Sequence, residues 1–212
     1  HTDVDIEQAI AAVKESIVEM QAGGFLPCDR QIVPVSRHEH LPLSFAQQRL
    51  WFLDRLDPNN FGYNEPIALR IAGELNVAAL EQSFNEIIRR HEVLRTTFTT
   101  VEGQPVQVIA PHLHLTIPVV DLRHLPSAER ETSALQLATE QAQQPFDLTQ
   151  NPLLRCTLLQ LDEMEYMLLC TMHHIVTDAW STGIFFSELA ALYAAFIAGK
   201  PSPLPELPIQ YA

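Results

Sequence analysis

The chain has 212 residues, of which 47% are hydrophobic and 18% charged, a composition typical of globular rather than disordered proteins. Its formal net charge of −13 argues against nucleic-acid binding, because no basic patch is available to neutralise phosphates. No continuous apolar run approaches the length of about 20 residues that a membrane helix needs, so we expect no membrane partner.

The first 36 residues predict a helix followed by a linker. Apolar residues recur at helical spacing over residues 5–21, namely Ile6, Ile10, Val13, Ile17 and Met20. Gly23-Gly24 ends the pattern, and prolines come after it. The segment is too short to be a domain of its own. We therefore expect it to be a docking or inter-domain leader, or to pack on the next part of the chain.

The middle of the chain predicts helices, a strand and a hairpin. Ser44 and Gln47 have the spacing of a capping box at the start of a helix that ends at Leu56. Alternating residues over 67–71 predict a half-buried strand. Asn76 is a candidate cap for the next helix. The core stripe of that helix consists of Leu80, Phe84, Ile87 and Ile88.

The remaining pattern predicts a hairpin, two helices and two strands. Strand-like residues flank the turn Glu102-Gly103, and residues 127–144 are an alanine- and glutamine-rich helix. Residues 154–158 and 166–172 are two strands, and the second is apolar at almost every position, as in a strand buried on both faces. A helix over about 181–198 comes next, with Ser181 and Thr182 as candidate caps. Intermixed helices and strands predict an α/β or α+β class.

Two histidines stand at the end of the buried strand, in the segment His173-His174-Ile175-Val176-Thr177-Asp178. Titratable groups at the end of a buried strand favour chemistry over packing. Because neighbouring side chains on a strand point to opposite faces, the two histidines are not expected to serve the same reacting atom. From the strand pattern alone, His174 is equally well a core or rim histidine.

Several separated segments together resemble the condensation domains of nonribosomal peptide synthetases. The histidine segment has the form HHxxxDG, with Ala179 in the glycine place. The other matching segments are SFAQQRLW (residues 44–51), RHEVLRTTF (90–98), PFDL (145–148), NPLLR (151–155) and LPIQYA (207–212). Four of these segments are motifs in the family's order (44–51, 90–98, the histidine segment and 207–212), and PFDL and NPLLR resemble the stretch between motifs. Four ordered motifs over about residues 37–212 are a far more specific match than one histidine motif alone.

The resemblance implies a fold and a domain boundary. It implies an α/β fold, an α+β two-layer sandwich of the chloramphenicol-acetyltransferase-like type, as one half of a V-shaped domain with two lobes. Residues 37–212 would be the N-terminal lobe, truncated before the C-terminal lobe, and residues 1–36 a leader. On this interpretation the active site lies in a tunnel between the lobes, so we expect the isolated chain to be catalytically silent.

The resemblance also implies an activity. Such a domain is an acyltransferase that forms a peptide bond between a donor aminoacyl or peptidyl thioester and an acceptor aminoacyl thioester. Both substrates are carried on phosphopantetheine arms of carrier proteins, so the domain itself binds no cofactor. The implied partners are the donor and acceptor carriers, the C-terminal lobe and an adenylation domain, in the secondary metabolism that makes antibiotics.

By the same resemblance, the candidate catalytic set is His174, His173 and Asp178. His174 faces the substrates, and His173 is structural. Asp178 either orients the imidazole or holds the loop through an arginine, and we favour the structural role, since a buried carboxylate needs a cation. The candidate partners are Arg90 and Arg95, from the RHEVLRTTF segment.

Two neighbours of Asp178 are also assigned to the support of the site. Alanine at position 179 adds a methyl group where glycine would permit a positive φ and close approach of a substrate. Trp180 is expected to be a packing residue, and Ser181 a helix-capping one.

Ala179 motivates one of the alternative functions. A condensation-like domain without activity would serve as a docking scaffold for carriers or partners. Within enzymes, the alternatives are an epimerisation domain and a related acyltransferase. The cyclisation subtype uses a different, aspartate-rich motif and is disfavoured.

Metal chemistry and serine hydrolysis have little support in the sequence. The pairs His38-x-His40 and His112-x-His114 have same-face spacing, but each lies in a proline-flanked stretch and lacks a second ligand pair, so we expect no metal. No GxSxG nucleophile elbow is present. Two of the three cysteines lie in strand-like runs, and buried free thiols indicate a reducing, cytoplasmic location.

Overall fold

The computed structural model describes residues 35–36 and 40–212, together with the single position Ser16. The chain divides at Pro34 into two units, of which the second is Val35–Ala212. Apart from Ser16, the helix predicted over residues 5–21 lies outside the described residues, as do Cys28 and His38.

Helices and strands are intermixed along the described chain. In order they are β1 (Leu41–Pro42), α1 (Phe45–Leu56), β2 (Asn64–Ala72), α2 (Val77–Arg90), a 3₁₀ turn (Glu92–Arg95), β3 (Thr96–Val101), β4 (Gln104–Ile109), β5 (Val119–Asp121), α3 (Ser127–Gln143), β6 (Leu154–Asp162), β7 (Glu165–His173) and α4 (Ala179–Ile197). The mixed α/β class predicted from the sequence is confirmed.

The larger sheet has four strands in the order β2-β7-β6-β5. β7 pairs antiparallel with both β2 and β6, whereas β5 runs parallel to β6. Eight of the nine residues of β7 are buried, which confirms a strand covered on both faces. A smaller sheet has the order β1-β4-β3.

The two faces of the larger sheet have different cores. Leu168, Cys170 and Met172 of β7 belong to the main core, together with apolar residues of α2 and α4. Met167 and Leu169 face the other way, in a smaller core that contains Ala134 of α3. Helices therefore cover both faces, so a third layer extends the expected two-layer sandwich. A strand that is apolar on both sides requires this second cover.

Local sequence signals account for the starts of the helices. Ser44 Oγ accepts a hydrogen bond from the Gln47 backbone N–H, and Gln47 Oε1 accepts one from the Ser44 N–H, which confirms the capping box of α1. Asn76 caps α2 by accepting from the Ala79 N–H at 3.0 Å. The predicted stripe of α2 is fully buried, at 0–4% exposure for Leu80, Phe84, Ile87 and Ile88.

The predicted hairpin is β3 and β4. Glu102 and Gly103 both have positive φ, of 50° and 80°, as the type I′ turns of two-residue hairpins require. The pairing places Phe98 opposite Gln107. Phe98 is fully buried in a third core cluster that also contains Leu50 of α1 and Ile175, which lies just after β7. This cluster connects the smaller sheet to the turn that carries the histidines.

α4 is nineteen residues long and, by length and composition alone, apolar enough to cross a membrane. Its residues Phe185, Leu189 and Leu192 are buried in the main core. A core helix meets the same criterion of length and composition, so this feature is weak evidence for a membrane span.

Candidate functional site

The residues after β7 form a tight turn that leads directly into α4. The His173 carbonyl accepts a hydrogen bond from the Val176 N–H at 3.0 Å. Ile175 and Val176 are buried below the turn, whereas His174 and Asp178 are exposed. The turn therefore presents its titratable side chains and packs its apolar ones.

His173 is a buried histidine that is only 3% exposed. Its Nδ1 accepts a hydrogen bond from the Ile175 N–H at 3.1 Å, and its ring meets the edge of Phe146 at a centroid distance of 6.2 Å. Burial lowers the pKa of His173 from 6.5 to about 4, and the neighbouring His174 adds to this effect. A neutral imidazole whose Nδ1 accepts must carry its proton on Nε2.

His174 lies at the surface, as strand alternation predicts for the neighbour of a buried residue. Its backbone N–H donates to the Tyr63 carbonyl at 2.8 Å. Its Nδ1 lies 2.5 Å from Oε1 of Glu65, and the two side chains are 41% and 30% exposed. No other hydrogen bond of the His174 side chain is present in the described part of the chain, so Nε2 is available to an incoming group.

Asp178 caps α4 and does not pair with an arginine within the described residues. Its carboxylate accepts hydrogen bonds from the Ser181 N–H at 2.7 Å and the Ser181 hydroxyl at 2.8 Å. These bonds lower the pKa of Asp178 below its usual value. The predicted pair with Arg90 or Arg95 is wrong, because an exposed carboxylate at a helix N-terminus has backbone donors and needs no buried cation. Ser181 and Thr182 are likewise not the N-cap, although Ser181 completes the capping box.

Arg90 lies in a different cluster. It is 3% exposed, and its Nε donates to Glu188 of α4 at 3.2 Å. Its Nη1 donates to the Pro205 carbonyl at 2.8 Å. Next to it, His91 Nε2 lies 2.8 Å from the same Glu188 carboxylate. Arg90 thus connects α2, α4 and the proline-rich tail, which we define as residues 201–208.

Arg95 has local partners. Its Nη1 donates to the Ala110 carbonyl, and its guanidinium lies 3.9 Å from Glu92 in the same 3₁₀ turn. Arg95 therefore links the residue before β3 to the residue after β4, and it makes no ion pair with Asp178. Both arginines of the RHEVLRTTF segment therefore make structural contacts, and none of these contacts is with His174 or Asp178.

Ala179 and Trp180 occupy the first turn of α4. Among the described residues other than glycine, positive φ occurs only at Glu102, so the backbone at Ala179 does not require glycine. The side chain of Trp180 is 82% exposed. The expectation that Trp180 packs is wrong for the described residues, because the first turn of α4 extends beyond the core that holds Phe185 and Leu189.

A small apolar cavity of about 120 Å³ opens beside the first turns of α4. Its lining comes from the end of β7, the turn after it, the first turns of α4 and the stretch 91–94, and includes Met172, Val176, Thr177, Ser181 and Ile184. A larger cavity, of about 600 Å³, lies between α1 and the segment 145–149, which includes the Phe146 ring next to His173. Val176 and Thr177, which line the smaller cavity, belong to the same turn as His174.

The described residues contain no group of three or more His, Cys, Asp or Glu side chains that could hold a metal. His114 is exposed and lies 3.8 Å from Glu81. His38 lies outside the described residues, so the pair that it forms with His40 is not described.

Sequence reasoning did not find Glu65 or Glu188. Glu65 is outside every motif that carried the resemblance, and its link to His174 depends on the pairing of β2 with β7. One signal was present: a carboxylate stands directly before Pro66, two residues ahead of the strand predicted over residues 67–71. Glu188 lies on the polar side of a helix pattern and is indistinguishable there from a solvated residue.

A comparison with protein families supports the resemblance. The model of the condensation domain matches residues 37–212. One protein of the linear gramicidin synthase of Brevibacillus parabrevis is 51% identical over 202 residues, which are 95% of this chain and 3% of that protein.

Solved structures have the same fold. The starter condensation domain of rhizomide synthetase RzmA has a TM-score of 0.74 at 26% identity, over 81% of this chain and 41% of that one. The complex of the X-domain and OxyB from teicoplanin biosynthesis gives a TM-score of 0.71 at 35% identity, over 88% and 39%. The chain therefore spans about two fifths of these solved chains.

Proposed function

The chain belongs to the condensation domain family, and we propose that it is the N-terminal lobe of a peptide-bond-forming domain in a nonribosomal peptide synthetase. In this reaction the amine of an acceptor aminoacyl thioester attacks the carbonyl of a donor thioester. The C–N bond forms and the C–S bond breaks. The carrier thiol of the donor leaves, and the proton that the amine loses balances the thiolate.

The position of His174 carries this proposal. It comes directly after a strand that is buried on both faces, it is half exposed, and its Nε2 is available. His173, by contrast, is buried, and its Nδ1 is occupied by the Ile175 N–H. Of the two histidines, only His174 has a nitrogen that substrates could reach.

Amide formation requires His174 to position the amine more than to act as a strong base. A free α-amino group titrates near pH 8, so a sizeable fraction is unprotonated near neutrality. His174 can hold the amine in line, form a hydrogen bond in the tetrahedral intermediate, and move a proton to the leaving thiolate. Asp178 supports this indirectly, since its capping of α4 fixes the end of the turn.

The test is His174→Ala in a complete condensation domain that contains this chain. We expect turnover to fall at least about 100-fold, the lower end of the range for a lost proton-transfer or oxyanion contact. His114→Ala is the matched control, because His114 is an exposed histidine beside a carboxylate in another part of the lobe. Near wild-type condensation by His174→Ala would contradict the proposal.

The product distinguishes the reaction from its nearest alternatives. Intact mass spectrometry of the loaded carriers detects amide formation as transfer of the donor group to the acceptor carrier. An epimerisation domain would leave both masses unchanged and invert a stereocentre. A related acyltransferase would transfer the donor group to an acceptor that is not carrier-bound.

The proposal extends to partners and location. The donor and acceptor would arrive on phosphopantetheine arms of two carrier proteins, and the domain would adjoin an adenylation domain. The buried thiols of Cys156 and Cys170, 3.5 Å apart on paired strands, suit a reducing compartment such as the cytoplasm.

We also propose that residues 37–212 need a C-terminal lobe for activity and that residues 1–36 are a leader. In this lobe the His174 side chain meets water, where hydrogen bonds to a developing oxyanion are worth less than in a closed site. A condensation assay on this chain and on the two-lobe domain tests the first statement, and comparable turnover would contradict it. Deletion of residues 1–30 tests the second and should leave the stability of the lobe unchanged.

A non-catalytic docking module is the second candidate. It is favoured by the 35% identity to a domain that was solved in complex with another protein. Measurable turnover by the complete domain with Ala179 in place would exclude it. If that domain is folded but inert, and Ala179→Gly restores nothing, the docking module would be the better assignment.

A further inference from the structure

We propose that Glu65 is a positioning residue for His174, which fixes the tautomer of the imidazole so that Nε2 carries the free lone pair. This inference deepens the proposed function and rests on it for the catalytic consequence. The structural statement about the tautomer stands on the geometry alone.

The backbone places the two side chains on the same side of the sheet. Glu65 of β2 lies directly opposite Met172 of β7, and directly opposite residues share a face. His174 comes two residues after Met172, so strand alternation returns it to that face. The backbone N–H of His174 is itself held by the Tyr63 carbonyl, two residues before Glu65.

The backbone around Glu65 is restricted. Pro66 comes next and disfavours the helical region for the preceding residue, so Glu65 is held extended. β2 is the edge strand of its sheet, which is where a proline is tolerated. The carboxylate therefore projects from a fixed position toward the turn.

The contact determines which nitrogen bears the proton. An ionised carboxylate only accepts hydrogen bonds, so the 2.5 Å contact between Glu65 Oε1 and His174 Nδ1 places a proton on Nδ1. Within the described residues, Glu65 has no other ion pair that would compete for it. The neutral ring of His174 then presents the Nε2 lone pair to the open side of the turn.

The adjacent histidine has the opposite tautomer. His173 Nδ1 accepts from the Ile175 N–H, so its proton is on Nε2. The Glu65 carboxylate places the proton of His174 on Nδ1, and the Ile175 N–H leaves the proton of His173 on Nε2, so the two neighbouring imidazoles are opposite tautomers. In the proposed reaction, the Nε2 lone pair of His174 is the group that accepts the hydrogen bond of the attacking amine, as in sites where a third group orients the base.

The first experiment measures the tautomers by ¹⁵N NMR of the histidine rings of this chain, at alkaline pH where the rings are neutral. In the wild type, we expect His174 to be protonated on Nδ1 and His173 on Nε2. Glu65→Ala should move His174 to the Nε2-protonated form. Glu65→Gln should keep the original form, because the amide oxygen still accepts. His173 should not change in any variant.

Glu81→Ala is the control, since Glu81 is a carboxylate 3.8 Å from the exposed His114. It should leave both tautomers unchanged. An unaltered His174 in Glu65→Ala would overturn the proposal, as would a wild-type His174 that is protonated on Nε2.

The second experiment measures turnover in the complete condensation domain. Glu65→Ala should lower kcat about 10- to 100-fold with little change in the KM for the acceptor carrier, and Glu65→Gln should recover most of the loss. Equal unfolding midpoints would show that the fold is intact. If His174→Ala abolishes turnover and Glu65→Ala does not reduce it, the inference fails and the proposed function stands. If the wild-type domain forms no amide, the proposed function fails, and the NMR result still decides the role of Glu65.

Discussion

Two of the regions in which a described histidine pairs with a glutamate differ in what surrounds the pair. In the first, His91 and Glu188 are joined by Arg90, which is 3% exposed and also donates to the tail. In the second, His174 and Glu65 stand at the sheet edge, 41% and 30% exposed, and no arginine joins them in the described residues.

The comparison shows that surroundings decide what the same two groups do. Burial raises the pKa of Glu188, but hydrogen bonds from Arg90 and His91 outweigh this effect and hold the pKa below its ordinary value. The carboxylate stays charged, and its hydrogen-bonding capacity is used within the fold. At the second pair, one imidazole nitrogen remains available. The first region holds elements together, and the second can serve a substrate.

The largest expected effect is at Arg90. Arg90→Ala would leave the carboxylate of Glu188, whose side chain is only 12% exposed, without its main cation. We therefore expect a loss of about 3–5 kcal/mol in the free energy of unfolding, measured with denaturant. Arg89→Ala is the matched control, because the Arg89 side chain is 52% exposed and its ion pairs should contribute at most about 1 kcal/mol. Equal losses in Arg90→Ala and Arg89→Ala would show that the Arg90–Glu188 pair contributes no more to stability than an exposed ion pair.

The second effect is a pH dependence of the free energy of unfolding, caused by His173, the buried neighbour of His174. Its folded pKa is about 4 against 6.5 in the unfolded chain, so stability is complete above pH 6.5 and falls as the pH drops toward 4. Between pH 6.5 and pH 4, His173 is protonated in the unfolded chain but remains neutral in the folded chain. The gap between the two pKa values corresponds to about 3 kcal/mol.

The measurement compares unfolding free energies between pH 7 and pH 4 for the wild type and His173→Asn. The variant should lose this part of the slope, and the exposed His114→Asn should keep it. The same slope in all three proteins would show that His173 takes up a proton freely in the folded state.

The third effect separates a helix cap from an ion pair. Asp178→Ala should destabilise the lobe by about 1 kcal/mol, because the Ser181 N–H loses its acceptor. Asp178→Asn should stay within about 0.5 kcal/mol of the wild type, since asparagine caps as well as aspartate. If asparagine costs as much as alanine in thermal or chemical unfolding, the charge of Asp178 has a cationic partner after all.

The smallest effect is expected at the exposed pair itself. Glu65→Ala should change the free energy of unfolding by less than about 1 kcal/mol, as for other solvent-screened ion pairs. Chemical denaturation of Glu65→Ala and Glu188→Ala side by side gives the sharpest form of the comparison. A Glu65 variant as unstable as the Glu188 variant would make both pairs structural.

Local patterns allowed much of the fold to be predicted from the sequence. The capping box at Ser44 and the turn at Glu102-Gly103 each depend on a few neighbouring residues. Strand alternation predicted that His173 and His174 face opposite ways, and the family resemblance predicted which of them is exposed. The start of α4 was misplaced by two residues, because Ser181 and Thr182 are as good caps in isolation as Asp178.

Partnerships between distant residues could not be predicted in this way. Glu65 reaches His174 through the register of β2 on β7, and Arg90 reaches Glu188 through the packing of α2 on α4. Hydrophobic periodicity gives the buried face of each element but not its neighbours. The family resemblance pointed to the right segments, yet it assigned Arg90 and Arg95 to Asp178, which the pattern of hydrogen bonds contradicts.

The contacts of Arg90 have a consequence for synthesis of the chain on the ribosome. Its partners Glu188 and Pro205 lie 98 and 115 residues further along. At about 5–20 residues per second, they emerge about 5 to 23 seconds after Arg90 itself. During that interval α2 can form its helix and apolar stripe, but its last residue lacks the groups that neutralise it. The contacts that join Arg90 to Glu188 and Pro205 therefore form only after the proline-rich tail has left the ribosome.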